Sequence, residues 1–287
     1  GAGDVVICWF ERGKWRTEGI DVGEGLLHGA LIADVDPSLE GVEIVVVGET
    51  ADGRGRAELL SWSQGSGWRV TRLATPPRPL HAVALLGDLV CVSGQALSVL
   101  RRSEGVWSAL ELATLKSPGL SLSPSQGKVL VGCLDGRLVE FAVDGLSGGV
   151  RREADRRVAA RNSLARLGGH VLTADGDGTL ALLPAANESG LPERLTQQDR
   201  VEIYRSPRPL TGTVLADLDP AAKGLELATC GEAGEVVLLS ADADGRYQPT
   251  TLHRDVSPLH CLIALDSRTL ATASEGGTIT VLRRAAY

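Results

Sequence analysis

The chain has 287 residues, 43% of them apolar and only 3% aromatic, with 35 glycines, 13 prolines and a net charge of −7. That length suits one all-β repeat fold, its core must be built from Val, Leu, Ile and Ala, and its glycine and proline content implies many turns. The acidic balance and the lack of a Lys/Arg block argue against a nucleic-acid or anionic-membrane surface, and no apolar run approaches the ~18 residues of a membrane span.

In chain order, "DVVICWF" and "WRTEGID" read as two strands of one hairpin. Then comes a pattern that recurs six times, in which an alternating strand, a glycine-centred turn and a second strand follow one another. The copies are "VVVGETADGRGRAELL" (45–60), "VCVSGQALSVL" (90–100), "VLVGCLDGRLVEF" (129–141), "VLTADGDGTLALL" (171–183), "LATCGEAGEVVLL" (227–239) and "LATASEGGTITVL" (270–282). Glycine between β-rich runs is a hairpin signal, because it supplies the positive φ of a tight turn. The "DGDG" at 175–178 is read as such a turn rather than as an ion loop.

A short apolar run precedes each hairpin, as in "LHAVALL" (80–86), "LARLG" (164–168) and "LHCLIAL" (259–265). After most of them follows a polar–apolar strand, such as "WRVTRLA", "WSALELA" or "YQPTTLH". Units of about four strands, repeating every 35 to 50 residues or so, are the signature of propeller blades. The expected fold is therefore an all-β propeller of four-stranded antiparallel blades, one domain over residues 1–287. Six blades are expected, with seven as the alternative, and the N-terminal hairpin is expected to pair with the C-terminal strands and so close the ring. "CWFERGKWR" (8–16) echoes "SWSQGSGWR" (61–69), and its spacing places Trp9 and Trp15, like Trp62 and Trp68, on facing strands.

The five cysteines lie inside apolar strands with no zinc spacing and read as small core residues. The chain opens at Gly1 and holds no methionine, as a processed protein or an excised domain would, so its compartment is left open.

"ALIADVDPSLEGVEIVVVGE" (30–49) and "VLADLDPAAKGLELATCGE" (214–232) repeat one phrase. Asp34-Val35-Asp36-Pro37, followed by Gly41 and Glu43, resembles the FG-GAP/VCBS repeat family of β-propellers. The resemblance covers about two blades, residues 28–74 and 210–252. It implies a loop of Asp-x-Asp-x-Asp-Gly-x-x-Asp form for a hard cation such as calcium. Asp34 and Asp36, like Asp217 and Asp219, match the first two acids, and Glu43 and Glu226 stand for the last. Ser38 and Ala221 occupy the next ligand position, where the family has an acid. The plainer reading is a turn scaffold, with Asp accepting from backbone N–H groups, Pro37 and Pro220 fixing φ, and Gly41 and Gly224 allowing the reversal.

Of five histidines, His28, His81 and His260 begin first strands, with Thr211, Asn162 and Arg161 near the same level in other blades. In a six-bladed ring these imidazoles would converge at one channel mouth, a site for a divalent ion such as Zn, Mn or Fe. Hydrogen bonding to nearby backbone is the plainer alternative.

Two functions follow as expectations. One is a non-catalytic scaffold that recognises a protein or a carbohydrate through its loop faces. The other is a metal-dependent carbohydrate-active enzyme. Some propellers of the family are similar to the metal-bearing propeller of aldos-2-ulose dehydratase, which acts on keto-sugars by elimination. On that resemblance the three histidines would hold an ion that polarises a carbonyl, while a base not identified in the sequence takes the α proton. The family resemblance also favours an extracytoplasmic location.

Overall fold

The computed structural model describes the chain apart from residues 1, 13, 40, 88, 126, 144–148, 155–159, 168–169, 185–199, 217, 219–225 and 284–287. Among the described residues every regular element is a β-strand. The first sheet holds β1 (Ala2–Glu11), β2 (Lys14–Ala33), β3 (Glu43–Thr50), β4 (Gly55–Ser63) and β5 (Gly67–Ala74). The second holds β6 (Leu80–Leu86), β7 (Leu89–Gly94), β8 (Ala96–Ser103) and β9 (Val106–Thr114). The third holds β10 (Gly119–Ser125), β11 (Lys128–Cys133), β12 (Leu138–Ala142) and β13 (Gly149–Ala154). The fourth holds β14 (Arg161–Leu167), β15 (His170–Asp175), β16 (Thr179–Pro184) and β17 (Val201–Arg205). The fifth holds β18 (Leu210–Ala216), β19 (Glu226–Gly231), β20 (Glu235–Ala241) and β21 (Tyr247–Arg254). The sixth holds β22 (Leu259–Asp266), β23 (Thr269–Ser274) and β24 (Ile279–Arg283). The fold is all-β, with these six antiparallel sheets as the blades of a β-propeller. The chain divides into two compact units, residues 1–129 with 141–149 and residues 130–140 with 150–287, the division passing through the third sheet.

All six hairpins read from the sequence form. Five share one turn, in which the fourth residue is a glycine with φ between 74° and 83° whose N–H donates to the carbonyl three residues back. In "DGDG" this is Gly178 donating to Asp175, while the Asp177 carboxylate accepts from the Thr179 N–H at 3.0 Å. A Cβ on Gly178 would stand 2.3 Å from the Ser206 carbonyl oxygen, so the turn admits only glycine. The Ser206 N–H in turn donates to the Gly178 carbonyl, tying the hairpin to the linker that leaves the sheet.

The cores are aliphatic, as the composition requires. In the first unit Val45, Val47, Ala57, Leu59, Val90, Val92 and Leu100 are buried in one cluster. In the second, Leu172, Leu180, Leu227, Val237 and Leu239 form another. Full burial of each such Val or Leu side chain contributes about 1.5–3 kcal/mol.

Two expectations are corrected. The N-terminal hairpin joins the first sheet rather than the last, because β2 runs unbroken from Lys14 to Ala33 and pairs with β1 along its first half and with β3 along its second. The hairpin's Val5, Ile7, Ile20 and Val22 cluster with Ile44, Val46, Leu60 and Trp68 of that sheet, so its apolar face is satisfied there. The sixth sheet has three described strands. Secondly, Trp62 does face Trp68, but Trp9 stands opposite Arg16 and Phe10 opposite Trp15. The ladder that closes at Ser63↔Gly67 matches residues an even number apart, and the one that closes at Glu11↔Lys14 matches odd separations.

Candidate functional site

The first strands of five sheets carry a β-bulge at the same place, and the extra residue is the one the sequence singled out. In β2 the register steps from Leu27↔Gly48 to Gly29↔Val47, leaving His28 over. His81 is the extra residue in β6, Asn162 in β14, Thr211 in β18 and His260 in β22. A bulge of this kind re-aims one side chain while the pairing on either side continues.

In the second unit two of these side chains stitch neighbouring first strands. Asn162 Nδ2 donates to the Leu210 carbonyl at 2.7 Å, and Thr211 Oγ1 donates to the Leu259 carbonyl at 2.6 Å. His260 is exposed at the corresponding place in β22. In the first unit, exposed His28 and half-buried His81 stand together, with ring centroids 5.1 Å apart and planes inclined at 50°. Gly29 permits this approach, because a Cβ there would lie 3.2 Å from the His81 carbonyl oxygen and 3.3 Å from the Val47 side chain. Burial, and then the neighbouring His28 ring, hold the His81 imidazole below its ordinary value, against the upward pull of the Glu49 carboxylate. His81 is therefore neutral near pH 7, able to donate from one ring nitrogen and accept at the other.

The acids of the repeated phrase are used as a scaffold. Glu43, 1% exposed, accepts at Oε2 from the Val35 N–H at 2.9 Å and the Asp36 N–H at 3.1 Å. In the second copy Glu226 Oε2 accepts from the Leu218 N–H at 2.8 Å, again eight residues back. Asp36 accepts from the Ser38 N–H at 3.1 Å and the Ser38 hydroxyl at 2.7 Å, and its carboxylate is ion-paired with Arg102 of β8. Asp34 is exposed. These three acids do not fit a calcium cage, which needs six or more converging oxygens, because Glu43 turns to the backbone and a guanidinium already holds Asp36. Asp217, Asp219 and Ala221 lie outside the described residues. Among the described residues no group of three or more His, Cys, Asp or Glu side chains is placed to share a metal ion. His28 and His81 make a pair, and no reaction step is assigned to them.

Arg161, placed near the His level by the sequence, points instead into the fourth sheet. It ion-pairs with the fully buried Asp175 and donates to the Gly136 carbonyl at 3.1 Å and to the Thr173 hydroxyl at 3.2 Å. Arg200 reaches the same carboxylate at 2.7 Å. Sequence reading missed this cluster, Arg102, and Arg56, which is 1% exposed and donates to the Val22 carbonyl at 3.0 Å, close to where β2 passes from pairing with β1 to pairing with β3. Isolated arginines inside polar–apolar strands give no signal of their partners. All five cysteines are free, and burial pushes the Cys91 thiol up to about 12 and the Cys230 thiol up to about 11, which makes both poor nucleophiles.

No family model matches the chain, and a search of curated proteins finds no match.

Proposed function

We propose that the protein is a non-catalytic binding module that recognises a protein or glycan surface through the loop face at which His28 and His81 stand. The observation that carries this reading is the His28–His81 pair: two imidazoles side by side at a surface, without a hydrogen bond to any described residue. Imidazole nitrogens left free to hydrogen-bond suit sugar hydroxyls or peptide carbonyls. Elsewhere the repeated polar residues are consumed by the scaffold, as Asn162, Thr211, Glu43 and Glu226 show by their bonds to backbone. The resemblance of two blades to FG-GAP/VCBS repeats agrees with this role. Glycan and peptide libraries should return a ligand whose affinity, measured by calorimetry, falls at least tenfold in a His28→Ala/His81→Ala variant. A ligand that binds the variant equally well places recognition elsewhere.

The same pair favours one second reading, a metal-dependent carbohydrate-active enzyme of the keto-sugar lyase kind. Elemental analysis separates the two. Stoichiometric Zn, Mn or Fe in the wild type, lost in the double variant, supports the enzyme, and no metal in either supports the binding module.

A further inference from the structure

Among the described residues the third strand of the sixth sheet has no strand on its outer side, and its sister sheets show what a covering strand does. The pairs Val90↔Leu100, Leu227↔Leu239 and Leu270↔Leu282 occupy the same place in the second, fifth and sixth sheets. In the second sheet β9 covers β8 and sets Trp107 opposite Arg102, two residues beyond Leu100. In the fifth, β21 covers β20 and sets Tyr247 opposite Ala241, two residues beyond Leu239. Both aromatics pack against inter-sheet cores, and Leu100 and Leu239 are fully buried.

Among the described residues nothing pairs with the outer edge of β24. Beside it lies a groove of about 320 Å³ whose lining includes Leu238, Leu252, Leu270 and Leu282, with Arg268 and Arg283 alongside. Leu252 records the difference. It is the residue skipped by the register in β21, as Leu73 is in β5. Leu73 packs in the cluster that includes Trp107 of the next sheet and is 6% exposed, whereas Leu252 is 41% exposed. No ion pair holds Arg268 among the described residues, and Arg283 lies within electrostatic reach of the Asp266 carboxylate.

We infer that the β24 edge and this groove form a strand-addition site for an extended segment of a partner polypeptide. The segment pairs antiparallel with β24, seats an aromatic side chain in the leucine groove as Trp107 and Tyr247 are seated in theirs, and carries an acidic residue toward Arg268 and Arg283. Main-chain bonds to an open edge give such a complex its affinity, and the groove gives it selectivity. The site goes beyond the loop-face reading and uses none of its residues.

The test is a labelled synthetic peptide with the β9 sequence Gly105–Thr114 (GVWSALELAT), titrated into the full chain and followed by fluorescence anisotropy. Saturable binding is expected, weakened roughly tenfold or more when the peptide's Trp is replaced by Ala. Binding should be lost in a Leu252→Asp variant, whose half-exposed position keeps the fold intact by circular dichroism, and in Leu282→Asp if that variant folds. The His28→Ala/His81→Ala variant should bind the peptide normally, so failure here and failure of the loop-face reading are separate results. No binding, or binding unchanged by Leu252→Asp, overturns the proposal. So does concentration-dependent dimerisation of the chain alone that Leu252→Asp abolishes, because the occupant is then a second copy.

Discussion

Glu43 reaches back eight residues to hold two amide groups, and Glu226 repeats the gesture in the fifth sheet. Replacing Glu43 by Ala orphans two buried N–H groups, at about 1–3 kcal/mol each. Urea denaturation should therefore show a loss on the order of 3 kcal/mol, and a smaller loss for Glu43→Gln, which keeps an acceptor. His81 supplies the second prediction at this scale. Its folded pKa lies below the ordinary 6.5, so the unfolded chain takes up the proton first. The stability due to neutral His81 is present above about pH 6.5 and is lost as pH falls through the folded value. Histidine NMR titration should show His81 shifting upward in His28→Gln, because a neighbouring charge is removed. A His81→Gln variant should lose less stability than wild type between pH 7 and pH 5. The importance of these residues could be read from repetition, but their partners could not. Equivalent positions told that His28, His81, Asn162, Thr211 and His260 belong together. That Arg102 meets Asp36 depends on two neighbouring sheets coming together, and that Arg161 and Arg200 share Asp175 depends on how strands pair within the fourth sheet.

Among the elements, hairpins were the most legible because their turn chemistry is local. A glycine forced to positive φ between two β-rich runs announces itself, and β6 begins and ends where its apolar run does. Gly178→Ala should cost about 2 kcal/mol or more, measured by thermal or urea unfolding, since it meets both the positive φ and the Ser206 carbonyl. Bulges were illegible, because one extra residue changes neither composition nor the alternation on either side. The tryptophan echo failed for a related reason. Identical spacing of Trp9–Trp15 and Trp62–Trp68 meets two connections of different length, and a one-residue change in the connection moves every partner.

At the scale of the molecule, six repeats gave six sheets, yet where the N-terminal hairpin goes had to be seen. Both ends offered unpaired strands, and sequence alone could not weigh Ile20 and Val22 on Ile44 and Leu60 against pairing with the last sheet. The sheets are also unequal in cover. Amide exchange should be faster in β24 than in its counterparts β8 and β20, which have strands on both sides. Equal protection in all three would show that β24 is already covered in solution.

The bulges bear finally on how such a chain can drift. The surplus residue takes no rung of the ladder, so an exchange there disturbs none of the rungs above or below it. Where the side chain has become a stitch, as at Asn162 and Thr211, that freedom has been spent. At His28, His81 and His260 it has not, and new chemistry can be tried at one blade without renegotiating the frame that displays it.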